Sequence, residues 1–151
     1  MIDQYLTFTV DKQNYGIQIS AVREINRISE ITKVPEAPSY VAGVMNLRGK
    51  VIPVVTLRLR MKLAETDVTK ETCTIVVETQ AGQVGVIVDS VSSVINLDKR
   101  DVDETPVQQG SENYIIGIGK LEAGMVLLVD IEKCLGSEVA LSGEHLTAQA
   151  A

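Results

Sequence analysis

Apolar and polar residues alternate along most of this chain. Over residues 5–10, Leu6, Phe8 and Val10 fall on one face and Tyr5, Thr7 and Thr9 on the other, the period-2 signature of a half-buried strand. Residues 11–14 carry turn chemistry, and Tyr15, Ile17 and Ile19 resume the alternation. Ser20, a favoured N-cap, predicts a short helix with Val22 and Ile25 on one face. Ile28, Ile31 and Val34 then lead to Pro35 and Pro38.

Residues 40–45 and 51–57 are two apolar runs around Asn46-Leu47-Arg48-Gly49-Lys50, the clearest hairpin in the chain, with Gly49 free to take the left-handed conformation of a tight turn. Pro53 has no N–H to give a ladder, which predicts an edge or a bulge there. Leu57, Leu59, Met61 and Leu63 alternate with Arg58, Arg60 and Lys62, a stripe that reads as a solvated edge or else as a docking face for an acidic partner. Residues 64–72 are polar and without period, a connector. Five further strands follow at 73–78, 84–89, 91–97, 114–121 and 125–129, and Asp130 opens a short helix that ends at Gly136. The expected organisation is one domain over 1–136, with a first subdomain at about 1–63, the connector at 64–72 and a second subdomain at about 73–136. The termini can cross between the two, and the tail 137–151 is expected to fray.

The second half repeats the first. Tyr15-Gly16-Ile17-Gln18-Ile19-Ser20-Ala21-Val22 matches Val84-Gly85-Val86-Ile87-Val88-Asp89-Ser90-Val91 at an offset of 69, Pro35 answers Pro106 at 71, and Tyr40-Val41-Ala42-Gly43-Val44 answers Tyr114-Ile115-Ile116-Gly117-Ile118 at 74. Two barrels of this size have little interior each, so they gain by pressing together, and their seam is a natural groove. The first hairpin has Arg48 where the second has Glu122, and function should concentrate where the copies disagree.

Composition narrows the chemistry. With 45% hydrophobic residues but only four Tyr, one Phe and no Trp, the core must be built from Val, Ile and Leu, which favour strands. A net charge of −6 and the lack of stacking platforms exclude nucleic acid as an expected partner. Cys73 and Cys134 lie in apolar runs with no CxxC or Cys/His cluster, so they read as buried reduced thiols. There is no basic leader followed by an apolar stretch and no run of about 18 apolar residues. A cytoplasmic chain is expected.

Catalytic chemistry finds little support. The one histidine, His145, falls in the tail, which leaves a Ser-His-Asp or Cys-His set without its base. Gly117-Ile118-Gly119 lies within a strand and opens no phosphate-binding helix. Asp89 and Asp130 each follow an apolar strand, which allows a small Asp-dependent hydrolase or isomerase as the enzymatic alternative. Yet Val91 stands where an aspartic-protease turn needs glycine, and a capping role explains both carboxylates. No catalytic residue, cofactor or metal is expected.

Taken in order, Tyr15-Gly16-Ile17-x-Ile19-x-x-Val22-x-Glu24-Ile25, Val34-Pro35-x-Ala37-Pro38-x-Tyr40-Val41-x-Gly43-Val44-x-Asn46-Leu47-Arg48-Gly49-x-Val51-Ile52-Pro53-Val54, Val84-Gly85-x-x-Val88-Asp89-x-Val91 and Ile116-Gly117-Ile118-Gly119-Lys120 resemble the CheW chemotaxis coupling family over about residues 3–136. The resemblance implies an all-β fold of two packed five-stranded SH3-like β-barrels with short helices. It implies a non-enzymatic adaptor between the cytoplasmic tips of methyl-accepting chemoreceptors and the regulatory domain of a CheA-type histidine kinase, with no direct membrane insertion. Carried over by position, the partner-binding residues are Val22, Glu24, Gly43, Val44, Asn46, Arg48, Gly49, Val91 and Val94. A receptor helix is then expected to lay its apolar face between the barrels against Val22, Val91 and Val94, with Arg48 fixing register. Core packing is the competing role for the valines, and a solvated turn for Arg48. Thr56 and Lys62 depart from the family's common Asp and Gly, which bears on partner preference. A coupler for another chemosensory pathway, such as surface motility, is the alternative within the same class.

Overall fold

The computed structural model describes residues 2–28, 30–104 and 114–135. Strands β1 (Ile2–Val10) and β2 (Gln13–Gln18) form a hairpin whose two turn residues, Asp11 and Lys12, both have positive φ, the turn whose twist suits an antiparallel pair. A 3-10 turn, Ile19–Ala21, passes directly into β3 (Val22–Arg27). The helix expected after Ser20 is therefore a strand. Burial along β3 alternates residue by residue, and its backbone groups are satisfied by pairing with a strand about fifty residues on, a long-range gain that outweighs a local cap.

The remaining elements are β4 (Val41–Leu47), β5 (Lys50–Thr56), α1 (Leu57–Arg60), β6 (Cys73–Thr79), β7 (Gly82–Val88), β8 (Ser90–Asp98), β9 (Val102–Asp103), β10 (Ile115–Leu121) and β11 (Gly124–Val129). A final helical stretch, α2, covers 131–135. Asp130 caps it as expected: its Oδ1 accepts from the Lys133 amide at 3.2 Å. Pro106, Gly136, His145 and the tail 137–151 lie outside the described residues.

Two sheets result, ordered β8-β1-β2-β11-β10-β9 and β3-β6-β7-β5-β4. Where two five-stranded barrels were expected, one sheet has five strands and the other a sixth, the two-residue β9. Each sheet is forced to curl. The outer strands β8 and β9 are joined by one 3-10 turn, Lys99–Asp101, and the outer strands β3 and β4 are bridged by the intervening segment through Thr32, paired with Val44. Pro53 does not mark an edge, because β5 lies between β7 and β4. It is tolerated because β7 pairs with β5 only from Val54 onward, leaving Pro53 flanked by β4 alone.

The sheets divide the chain otherwise than at 64–72. Strands β1 and β2 join β8–β11, while β6 and β7 join β3–β5, so each repeat gives its first two strands to one sheet and the rest to the other. Setting β1, β2, β3, β4, β5 against β6, β7, β8, β10, β11 converts one strand order into the other. The irregularities repeat as well: the ladder shifts between Val41 and Gly43 in β4 and between Ile115 and Gly117 in β10. The parallel pairing Val54–Gly85 has its counterpart in Leu128–Gly16.

The core follows this symmetry. Tyr5, Leu97, Val126 and Leu128 fill one barrel, and Met45, Ile52, Val54 and Val76 fill the other. Between them lies a larger shared cluster built from repeat-related pairs: Leu6 and Ile75, Phe8 and Val77, Ile17 and Val86, Val55 and Val129, Leu57 and Ile131. Alternation along β1 therefore does not separate core from water. Leu6, Phe8 and Val10 face the shared core, while Tyr5 faces its own barrel, which is why Tyr5 and Thr7 are also buried. The Thr7 hydroxyl is satisfied by the Ser93 carbonyl at 2.9 Å.

Candidate functional site

The β4–β5 turn is set by its own residues. Arg48 and Gly49 both have positive φ (52° and 86°), and the Asn46 Oδ1 accepts from the Gly49 amide at 2.8 Å, closing the tip from inside. Gly43 serves the same region from below. At φ +147° it lies against the bridging segment, and a Cβ there would stand 2.1 Å from the Thr32 carbonyl oxygen. Its neighbour Val44 exchanges backbone hydrogen bonds with Thr32 at 2.9 and 2.8 Å. Gly43 and Val44 thus bind the segment that closes the barrel, while Asn46 and Gly49 shape the tip that carries Arg48.

Arg48 does not end in water alone. Its Nη1 donates to Glu24 Oε1 at 3.2 Å and its Nη2 to Glu24 Oε2, a fork-on-carboxylate pair joining the turn to β3. The Arg48 side chain is 71% exposed and that of Glu24 only 23%. A third group completes the cluster: Asn26 Nδ2 donates to the same Glu24 Oε1 at 2.8 Å. Hydrogen bonds from Arg48 and then Asn26 hold the Glu24 carboxyl below its ordinary range.

Of the expected valines, Val22 and Val91 are half-buried at the starts of β3 and β8 and pack on the shared core from repeat-equivalent positions. Val94, on β8 of the other sheet, is 49% exposed. The structure therefore joins Glu24, Asn46, Arg48 and Gly49 into one cluster and sets Val22 and Val91 over the common core. No hydrogen bond or ion pair among the described residues links Val94 to the charged cluster.

Sequence reasoning missed Asn26. It lies two residues after Glu24, on the same face of a strand, and this spacing carries meaning only once β3 is recognised as extended. Of the basic stripe expected as a solvated edge or a docking face, Lys62 is exposed, while Arg58 and Arg60 turn inward. Residues 57–60 are helical, Leu57 is fully buried, and Arg60 is 8% exposed with its guanidinium 5.3 Å from the Tyr40 ring centre. Arg58 grips Asp89 through Nε at 2.9 Å and Nη2 at 2.7 Å. The Asp89 carboxylate also receives the Asp11 amide at 2.8 Å, which places it in a tie between the sheets. Cys134 is buried and Cys73 half-buried, and neither is joined in a disulfide. Among the described residues no three His, Cys, Asp or Glu side chains are grouped to hold a metal. No helix among them is long and apolar enough to cross a membrane.

Two mutually packed barrels alike in strand order, with the Glu24, Asn26 and Arg48 cluster of one standing where the other has Ser93, Ile95 and Glu122, make up a duplicated β-barrel scaffold. The chain belongs to the CheW family: the model of the CheW-like domain matches residues 4–139. Chemotaxis protein CheW of Klebsiella aerogenes is 38% identical over 140 residues, covering 89% of this chain and 82% of the relative. That of Bacillus subtilis is 32% identical over 142 residues, covering 93% and 91%. Protein FrzA of Myxococcus xanthus is 25% identical over 116 residues, covering 76% and 72%. Among solved structures, the scaffolding protein TtCheW from Thermoanaerobacter tengcongensis is similar with a TM-score of 0.82 and 31% identity, covering 89% of this chain and 93% of that one.

Proposed function

We propose that this chain is a non-enzymatic adaptor of bacterial chemotaxis, coupling the cytoplasmic tips of methyl-accepting chemoreceptors to the regulatory domain of a CheA-type histidine kinase at membrane-associated receptor arrays. Family membership supports the coupling role. The observation that carries the site is the cluster of Glu24 and Arg48, present on one barrel and replaced on its twin by Ser93 and Glu122.

A receptor helix meets Val22, Val91 and Val94 with its apolar face, and the Arg48 guanidinium, oriented by Glu24, fixes its register through charged hydrogen bonds. A second surface pairs with the kinase, barrel against barrel, and linking both contacts in an array raises effective concentration so that weak contacts suffice. Replacing Arg48 by Ala is expected to preserve the circular dichroism spectrum and to weaken partner binding by about 2 kcal/mol, roughly thirtyfold. Pull-down with a receptor cytoplasmic fragment and with a kinase regulatory domain measures this. Undiminished capture of both by a folded variant removes Arg48 from the site. The similarity to FrzA favours a second reading, a coupler of another chemosensory pathway. The kinase recovered from the native host in the same pull-down distinguishes the two.

A further inference from the structure

Arg48 sits at a hairpin tip on a long side chain, and an exposed ion pair gains too little by itself to hold one geometry against side-chain entropy. Asn26 changes that. It projects from the same face of β3 as Glu24, has only two side-chain torsions, and its amide reaches the Oε1 that Arg48 also uses.

The internal repeat supplies a control. In the other barrel the positions of Glu24, Asn26 and Arg48 are held by Ser93, Ile95 and Glu122, so the three differ together. There Ile95 pairs with Tyr5 on the neighbouring strand, where Asn26 pairs with Thr74. A β-branched apolar residue thus suits this register, and the sheet itself has no need of an amide.

We propose that Asn26 is a positioning residue of the partner-binding surface, its side-chain amide fixing the Glu24 carboxylate so that Arg48 is presented in a single orientation. This role rests on the assignment of Glu24 and Arg48 to that surface.

The test uses Asn26→Ala, Arg48→Ala and the double variant in the full chain. Each is titrated calorimetrically against a purified soluble cytoplasmic fragment of a methyl-accepting chemoreceptor, and the Glu24 carboxyl is followed by NMR in the protein alone. Asn26→Ala is expected to unfold at the wild-type temperature and to weaken fragment binding roughly fivefold, as for one lost hydrogen bond. It should add nothing in the Arg48→Ala background and should move Glu24 titration upward. Unchanged binding where Arg48→Ala weakens it, equal losses in both backgrounds, or unmoved Glu24 titration each overturn the proposal. If Arg48→Ala itself binds the fragment like wild type, the assigned surface is at fault, and the Glu24 titration alone then decides whether Asn26 positions the pair.

Discussion

Arg58 and Asp89 meet through two parallel hydrogen bonds, 2.9 and 2.7 Å, and their union spans the two sheets. Arg58 follows β5, whereas Asp89 lies between β7 of one sheet and β8 of the other and also binds the Asp11 amide in the β1–β2 turn. Nη1 of Arg58 reaches the Ala64 carbonyl at 3.0 Å, drawing the connector into the same knot. Across the pseudo-symmetric position the bond is simpler, with Glu132 accepting the Gln80 amide at 2.7 Å.

Removing the fork should loosen the assembly without erasing either barrel. Arg58→Ala is expected to cost about 2 kcal/mol, in the range for lost charge-assisted hydrogen bonds, with the strand signature in circular dichroism retained. Urea denaturation checks it. A midpoint and slope equal to wild type would show the fork to be idle.

The same fork gives stability a dependence on acid. Burial raises the Asp89 carboxyl, but the hydrogen bonds from Arg58 and from the Asp11 amide outweigh it and leave it below its ordinary value. The unfolded chain therefore binds this proton more readily than the folded one, and stability rises with pH across that window. The contribution is complete above the unfolded value of about 3.9 and is lost as pH falls through the lower folded value. Denaturant unfolding of wild type and Asp89→Asn should accordingly show a gap that holds steady from about pH 7 to about pH 4 and narrows as the pH falls below that. A constant gap refutes the linkage.

Two glycines of the β4–β5 hairpin should respond differently to alanine. At Gly49 there is open space around the missing Cβ, so the loss should be near the 1 kcal/mol of backbone preference. At Gly43 the new methyl meets the Thr32 backbone, which must move, and a loss of about 3 kcal/mol or more is expected from combined strain and overpacking. Thermal unfolding of the two variants side by side gives the order. Gly49→Ala falling as far as Gly43→Ala contradicts it.

Much of this was legible because period-2 alternation is a local property. Residues 6–10 and 51–57, and the turn at Arg48-Gly49, announce themselves within a few positions, and the repeat offsets of 69 and 74 reappear as matched ladders. What escaped depended on partners distant in sequence. β3 was hidden by a good N-cap serine, since nothing near Val22–Arg27 reveals that β6 waits to pair with it. The basic stripe concealed a helical turn because Leu57 and Arg60 are placed by the shared core and by Tyr40, not by their own spacing. Of the candidate site, the hairpin was readable, while the contacts that aim it, Glu24 with Asn26, needed the extended backbone to be seen.

Since each repeat surrenders a pair of strands to its twin, neither half of the polypeptide contains a finished barrel. Pieces spanning 1–72 and 73–151 should reconstitute the native circular dichroism only when produced together, and size-exclusion chromatography should recover them as one species. A piece produced alone has the missing strands available only from a second copy of itself. This protein is thus, in effect, a homodimer written in one sentence. Within one chain the two repeats can differ, one holding Glu24, Asn26 and Arg48 where the other holds Ser93, Ile95 and Glu122, an asymmetry that two identical chains could not hold.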